Sequence, residues 1–238
     1  MCDDHGVYRK SGYYFAGLFG GALVAFWPQY LSRLGAGGIS VYIHIHAVIM
    51  TLWFGLLIAQ PFLLRAGHRA LHRRLGQLSY GLAPLVVVSA LLLAHARLPT
   101  PQDPQFDDAA PRLYGTIGSV AMFAFAYALA IYYRKNAALH ARFMIGTSIA
   151  LVDPIVARVT AFYFPPLPDG RLYQVVSYTV ILVALAVLML RERSRPAGRG
   201  AFPVLLGWTT VVYGLSFLVA TTPSWVQFAR WFRALPLT

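Results

Sequence analysis

The chain has 238 residues, of which 58% are hydrophobic and only 12% are charged, and its mean hydropathy is +0.59. Because an ordinary soluble domain contains about 45–50% apolar and about 25% charged residues, these values exclude a soluble globular protein and indicate an integral membrane protein. The net charge of +12 comes from arginines in short clusters between apolar stretches rather than from one continuous basic face, so it does not indicate nucleic-acid binding.

Seven stretches of the sequence are long and apolar enough to cross a lipid bilayer. A spanning helix needs about 20 mostly apolar residues, and its backbone groups must bond within the helix because hydrocarbon offers no partner. The predicted spans cover about residues 12–31, 41–64, 75–96, 114–133, 143–164, 173–190 and 202–221. We therefore expect an all-α membrane protein with seven transmembrane helices, which form a single bundle over residues 1–238.

The distribution of lysine and arginine predicts the orientation of this bundle. Connections on the side of the N-terminus carry roughly twice as many of these residues as connections on the other side, and such loops stay in the cytoplasm. The N-terminus is therefore predicted inside and the C-terminus outside, in a bacterial cytoplasmic membrane. The acidic connection PTPQDPQFDDAAPR would then face outward. The last segment, about residues 223–235, has aromatic residues at helical spacing and is predicted to be an amphipathic helix in the outer interface.

Histidines near the ends of the predicted spans are the main candidates for binding a ligand. Topology sorts six of them into an outer set, His44, His46 and His95, and an inner set, His68, His72 and His140. Histidine is a common ligand of haem iron and of other transition metals. The plainer alternative is that these side chains lie among lipid headgroups and bind water or phosphate.

Helical spacing indicates which side chains accompany each histidine on its face of a helix. In the second span, His46 shares a face with Met50, Trp53 and Gln60. In the third span, Gly76 lies on the face of His72, and His68 would join that face if the helix began early enough, although Gly67 makes an early start doubtful. In the fifth span, the residues on the face of His140 are Met144, Thr147, Leu151 and Arg158.

Asp153 is the one acidic residue inside a predicted span, in the segment LVDPIVARV. Ionisable groups at this depth are costly and mark either a functional site or a buried pair. Arg158 follows five residues later, which on an unbroken helix is about 140° away. The two side chains would therefore pair only through a distortion at Pro154. Otherwise Arg158 faces another group, such as a carboxylate of a bound molecule.

Three segments resemble a large family of bacterial polytopic membrane proteins of unknown function. These segments are HAVIMTLWFGLLIAQ, HRRLGQLSY and LHARFMIGTSIALVDPIVARV, and they cover somewhat over half of the chain. The resemblance implies a compact helical core and singles out His46, Gln60, His72, Arg73, Gly76, Tyr80, His140, Met144 and Arg158. A looser likeness connects the chain to two-haem membrane cytochromes of the b561 type, whose histidines lie at both membrane faces.

Three hypotheses of function follow from these residues. The first is a haem b protein that transfers electrons as a carrier or oxidoreductase, with a quinone or a redox protein as its partner. Its inner axial pair would be His72 and His140, and its outer pair His46 and His95. The arginines predicted to bind haem propionates are Arg73, Arg142 and Arg158.

The second hypothesis is a non-redox transporter, receptor or assembly subunit with no bound chromophore or metal. Its polar pocket near mid-membrane would be lined by His46, Gln60, Asp153 and Arg158. The third is an enzyme with a single transition metal held by His68, His72 and His140. The single cysteine, Cys2, excludes a cluster of thiolate ligands, and the spans contain no lysine that could bind retinal.

Overall fold

A computed structural model describes residues 10–167, 170–194 and 197–238, and within these ranges the chain is helical, without strands. The helices, in chain order, are α1 (Ser11–Phe26), α2 (Val41–Arg65), α3 (Arg69–Arg97), α4 (Phe106–Tyr132), α5 (Ala137–Ile149), α6 (Val152–Tyr163), α7 (Gly170–Arg191), α8 (Ala201–Val219) and α9 (Pro223–Ala234). A turn of 3-10 helix, Leu31–Arg33, lies between α1 and α2. The prediction of an all-α protein is confirmed for these residues.

Six apolar helical stretches among the described residues are long enough to cross a membrane, which confirms a multi-pass membrane protein. One of them, Ala137–Tyr163, combines α5 and α6. The first predicted span corresponds to α1, which has only 16 residues. At a rise of 1.5 Å per residue α1 is about 24 Å long, against about 30 Å of hydrocarbon. Many large apolar side chains are exposed, Leu218 to 72%, as expected of a surface that contacts lipid.

The helices group into two compact units. Unit 1 consists of the residues up to Ser89 together with Pro154–Tyr173, and unit 2 consists of Ala90–Asp153 together with Gln174–Thr238. Unit 1 therefore contains α1, α2, most of α3 and most of α6. Unit 2 contains the end of α3, then α4 and α5, most of α7, and both α8 and α9.

In unit 1, α1 packs against α2 through small and aromatic side chains. The ring of Tyr13 meets the ring of Phe62 edge-on at a centroid distance of 5.1 Å, and any side chain at Gly12 would collide with the same ring. The hydroxyl of Tyr163, at the end of α6, donates a hydrogen bond of 2.9 Å to the carbonyl of Val24. These contacts place α1 between α2 and the end of α6.

A three-residue turn reverses the chain between α2 and α3. Gly67 has a φ of +80°, a conformation that glycine adopts without strain, and the next amide, of His68, bonds to the carbonyl of Leu63 at 2.9 Å. Gly67 thus ends α2, and α3 begins only two residues later, at Arg69, earlier than the predicted boundary near residue 75. Consequently His72 lies in the first turn of α3, whereas His68 precedes the helix.

In unit 2, α4 is the central helix and contacts α5, α8 and α9. Phe125 of α4 stacks on Trp208 of α8, with 4.4 Å between ring centroids. Gly146 of α5 allows a close approach, because a Cβ there would collide with Leu205 of α8. The hydroxyl of Thr209 donates to the sulfur of Met122 at 3.2 Å. The core of unit 2 is therefore built from aromatic, aliphatic and small side chains.

The start of α4 differs from the sequence prediction, which assigned residues 106–112 to a loop. In the structure α4 begins at Phe106 and packs against α9 in an apolar cluster formed by Leu98, Phe106, Ala109, Ala110, Leu113, Ala229 and Phe232. The indole of Trp225 donates a hydrogen bond of 2.8 Å to the carbonyl of Ala110. Asp107 and Asp108 in the first turn also suit the positive end of the helix dipole. The predicted helix near residues 223–235 is confirmed as α9.

The fifth predicted span is interrupted in the structure. α5 ends at Ile149 and α6 begins at Val152, with Ala150 and Leu151 between them. The cause is Pro154, which lacks an amide proton and clashes with the carbonyl four residues earlier, that of Ala150. The predicted distortion of this span is therefore present, immediately before Asp153.

Candidate functional site

His46 lies on the second turn of α2 and is half-buried in unit 1. Its Nδ1 shares a hydrogen bond of 3.0 Å with the hydroxyl of Ser89 on α3. Arg158 lies close enough for its positive charge to act on the imidazole. The guanidinium of Arg158 stands over the ring of Phe26 at 4.4 Å and donates to the carbonyl of Pro154 at 3.0 Å. Unit 1 therefore brings His46 and Arg158 together, as the second hypothesis requires.

Gln60 is a further predicted polar residue of unit 1, and it lies about 21 Å along α2 from His46, at 1.5 Å per residue. Both its amide nitrogen and its amide oxygen are buried and make no hydrogen bond within the part of the chain that the structure describes. A Cβ at Gly76 would lie 3.8 Å from the amide nitrogen, so the small residue leaves room beside Gln60. Buried polar groups without partners are rare in proteins and call for an explanation, such as a bound water or ligand.

The remaining predicted residues of α2 and α3 differ in how far they are buried. Trp53 is fully buried, whereas Met50 and His72 are half-buried. Arg73 and Tyr80 are exposed on α3, and His68 is exposed ahead of it. His68 and His72 therefore do not both project from one helix, because the helix starts between them. His44, disfavoured by the sequence, is bound at Nδ1 by the hydroxyl of Tyr30 at 3.1 Å.

His95 is the most enclosed histidine of the described residues. It is fully buried in the last turn of α3, beneath α9, where Phe232 meets its ring edge-on at 5.3 Å. Its Nδ1 shares a hydrogen bond of 2.6 Å with the hydroxyl of Thr238, and its Nε2 is buried and makes no hydrogen bond to the described residues. With the proton on Nδ1, the lone pair of Nε2 is available to bind an external group.

His140 is held in a similar way at the other end of α4. It lies in the first turn of α5, half-buried, and its Nδ1 hydrogen bonds to the carbonyl of Ala130 at 2.8 Å. A carbonyl only accepts, so Nδ1 carries the proton and Nε2 presents its lone pair. Histidines that bind metals are typically oriented by such a bond from their other nitrogen.

Arg142 has a partner that the sequence analysis missed. Its guanidinium is fully buried, forms an ion pair with Glu192 through Nε, and donates to the carbonyl of Ala138 at 3.0 Å. Gly198, with a φ of +74°, passes so close that a Cβ there would collide with Arg142. Since its Nε is bound to Glu192, Arg142 is less suited to haem propionates than predicted. The signal was Glu192 itself, an acidic residue in the basic segment RERSR.

Asp153 lies in a group of hydroxyls in unit 2 that the sequence analysis also missed. Ser119 of α4 donates a hydrogen bond of 2.9 Å to Oδ2, and Ser177 of α7 donates one of 3.4 Å to the backbone carbonyl of Asp153. Tyr178 and Tyr213 are close enough for the charge of Asp153 to act on their hydroxyls. Asp153 belongs to unit 2, whereas His46, Gln60 and Arg158 belong to unit 1.

Two predicted residues of α5 take structural positions. Thr147 is fully buried, and its hydroxyl donates to the carbonyl of Met144 at 2.7 Å, within the same helix. Among the described residues, no group of three or more His, Cys, Asp or Glu side chains is arranged to hold a metal ion. His68 and His72 lie in unit 1 and His140 in unit 2, so the predicted three-histidine metal site stays a prediction.

Each unit carries a predicted axial histidine near each of its ends. In unit 1, Ser89, which binds His46, lies about 25 Å along α3 from His72, at 1.5 Å per residue. In unit 2, His95 lies with the cluster at Phe106, and His140 binds Ala130, about 36 Å further along α4. Both predicted pairs, His72 with His140 and His46 with His95, therefore take one histidine from each unit.

Comparison with family models, with curated proteins and with solved structures finds no match to this chain.

Proposed function

We propose that this chain is an integral membrane haem b protein that transfers electrons. His95 is the observation that supports this function best: a fully buried imidazole, oriented through Nδ1, with an Nε2 that has no partner among the described residues. Haem iron takes a neutral imidazole nitrogen as its axial ligand. A buried nitrogen without a partner is costly in the empty protein, and coordination would remove that cost.

In this proposal two haems are bound, and unit 2 supplies one axial histidine to each, His95 to one and His140 to the other. His140 supports the second haem, because its Nδ1 proton is donated to Ala130 and its Nε2 is left to coordinate. The haem would supply a one-electron redox centre near each end of the helices. Of the three predicted propionate partners, Arg73 is exposed and follows His72 directly in the sequence, and a quinone or a redox protein is the expected electron partner.

Absorption of the purified protein tests the haem proposal. We expect a Soret band that shifts on reduction. His95→Ala and His140→Ala should each lower the haem content by about half, because each removes one of two haems. The matched control is His44→Ala, which loses a hydrogen bond and a ring contact to Tyr30. A protein with no Soret band in either redox state, after expression with ample haem supply, would reject the proposal.

The amide of Gln60, which has no hydrogen-bond partner among the described residues, favours a second candidate function, a non-redox transporter, receptor or assembly subunit. Gln60 would bind a polar solute inside unit 1, and His46 with Arg158 would line the pocket towards the other end of α2. The variant Gln60→Leu tests whether the buried amide binds a ligand or is only an unsatisfied polar group that the fold tolerates. Because an unsatisfied buried amide destabilises, its replacement should raise thermal stability in either case, but only a binding role predicts loss of function. Haem and metal analysis of the same preparation must both be negative for this candidate to replace the first.

The topology is part of the same proposal. α1 would be the seventh span, the N-terminus would lie in the cytoplasm and α9 in the outer interface of a bacterial cytoplasmic membrane. Single cysteines introduced into a Cys2→Ser background test it by labelling with a membrane-impermeant maleimide in intact cells. A cysteine at Gln227 of α9 should react, and one at Arg69 of α3 should not. The reverse pattern would overturn the orientation.

A further inference from the structure

The hydroxyl groups around Asp153 come from three other helices of unit 2. Ser119 on α4 bonds to the carboxylate, Ser177 on α7 bonds to the backbone carbonyl, and Tyr213 lies on α8. The helix that carries Asp153 is interrupted directly before it, at Ala150 and Leu151. Interruptions of this kind are where membrane proteins commonly place ion and substrate sites, because the backbone there departs from helical bonding.

Tyr178 and Tyr213 supply the second, independent observation. Their rings stack with 3.6 Å between centroids, and each side chain is at least 96% buried. Neither hydroxyl makes a hydrogen bond of good geometry within the described part of the chain. Ser216 lies beside the hydroxyl of Tyr178, and Ser119 lies beside that of Tyr213. The serine protons are already donated, by Ser216 to the backbone carbonyl of Tyr213 and by Ser119 to the carboxylate of Asp153.

We propose that Asp153 is a proton-exchange site, whose carboxyl group binds and releases a proton within the membrane. A protonated carboxyl is neutral and compatible with hydrocarbon, whereas a carboxylate there needs hydrogen-bond donors. Ser119 provides one donor, and the hydroxyl protons of Tyr178 and Tyr213 are not committed to another acceptor in the described structure. The site can therefore hold either protonation state. This inference does not depend on the haem proposal.

The groups that face Asp153 decide whether the proton can exchange. From α4, α7 and α8 the titratable groups are the hydroxyls of Tyr178 and Tyr213, with Tyr114 beside Tyr178. Along its own helix the nearest charged group is Arg158, which bonds to the carbonyl of Pro154. If an ion pair with this arginine held Asp153 permanently ionised, no proton would bind, and the experiment therefore includes a variant of Arg158.

Dicyclohexylcarbodiimide is a suitable probe, because it modifies protonated carboxyl groups in apolar surroundings. The full-length protein in lipid vesicles is treated from mildly acidic to mildly alkaline pH, and the labelled peptides are identified by mass spectrometry. We expect labelling at Asp153 that falls as the pH rises and that is absent in Asp153→Asn. Asp107, which is exposed at the start of α4, serves as the carboxyl that should stay unlabelled.

Infrared difference spectroscopy between acidic and alkaline samples measures the same group without a reagent. A protonated carboxyl band that titrates and disappears in Asp153→Asn supports the proposal. A missing band overturns it, as does labelling that is unchanged across the pH range. Labelling that is found only in Arg158→Gln also overturns it, because it shows that the wild-type carboxylate is held in an ion pair.

Tyr213→Phe tests the contribution of the hydroxyls to the site. Without this donor the ionised form is less stabilised, so Asp153 should bind its proton roughly tenfold more tightly, the effect of one hydrogen bond to a charged group. Tyr114→Phe removes a hydroxyl that bonds to the carbonyl of Val212 and should leave proton binding unchanged. Equal effects of the two variants would remove the tyrosine from the proposal.

Discussion

The two ends of unit 2 are held together by different physical forces. At the α9 end, formed by the end of α3, the start of α4, and α9, the buried contacts are mainly apolar and aromatic. The polar contacts there are the indole hydrogen bond of Trp225, the bond between His95 and Thr238 and an exposed ion pair between Arg230 and Asp107. At the Arg142 end, formed by the start of α5 and the segment after α7, a fully buried arginine is paired with Glu192. Each end presents one candidate axial histidine, His95 or His140.

Unit 2 therefore positions His95 beside apolar packing and His140 beside a buried ion pair. Apolar packing tolerates small changes of volume, with a graded loss of stability. The loss of one partner of a buried ion pair destabilises the protein strongly, because the remaining charge stays buried without compensation. We therefore expect the two ends to differ in how sharply they respond to substitution.

The largest effect is expected at the Arg142 end. Glu192→Ala leaves the guanidinium of Arg142 buried without its carboxylate and should lower the free energy of unfolding by about 3–5 kcal/mol. Denaturation of the protein in detergent measures this change. Arg134→Ala is the control, since Arg134 is exposed and its side chain bonds, within the described residues, to the carbonyl of Ile131 alone. A loss no larger than that of the control would show that the ion pair does not hold this end.

A somewhat smaller effect is expected at the α9 end. Phe232→Ala removes a ring that is 7% exposed and packs on His95, and the cavity left behind should cost about 3 kcal/mol. Trp231→Ala, at the neighbouring position and 56% exposed, should cost much less. Thermal unfolding of both variants gives the comparison. If the exposed tryptophan mattered as much as the buried phenylalanine, the packing described for α9 would be wrong.

The smallest of the three effects is expected at Gly198. An alanine there must adopt a φ of +74° and displace Arg142, for a cost of about 2 kcal/mol. Gly207→Ala, at an open helical position of α8, should not destabilise the protein. Because Gly198 and Glu192 both act on Arg142, Gly198→Ala should cost less in a Glu192→Ala background. Strict additivity of the two changes would argue against this coupling.

The membrane-spanning helices could be predicted well, because the length of an apolar stretch is a property of the local sequence. The sequence analysis misplaced the start of α4, since residues 106–112 become helical through contacts with α9, more than 100 residues later. It anticipated the distortion at Pro154 because a missing amide proton is a property of the residue itself. The partners of Asp153 and Arg142 were missed for the opposite reason: Ser119 and Glu192 are 34 and 50 positions away.

The interruption at Ala150 and Leu151 also has a consequence for biogenesis. α5 has 13 residues and α6 has 12, which at 1.5 Å per residue is about 20 Å and about 18 Å. Neither piece reaches across the hydrocarbon alone, so the insertion machinery must accept residues 137–163 as one continuous segment. We expect neighbouring helices to shelter the carbonyl of Ala150, which the proline leaves without its helical hydrogen bond, once they pack against this segment.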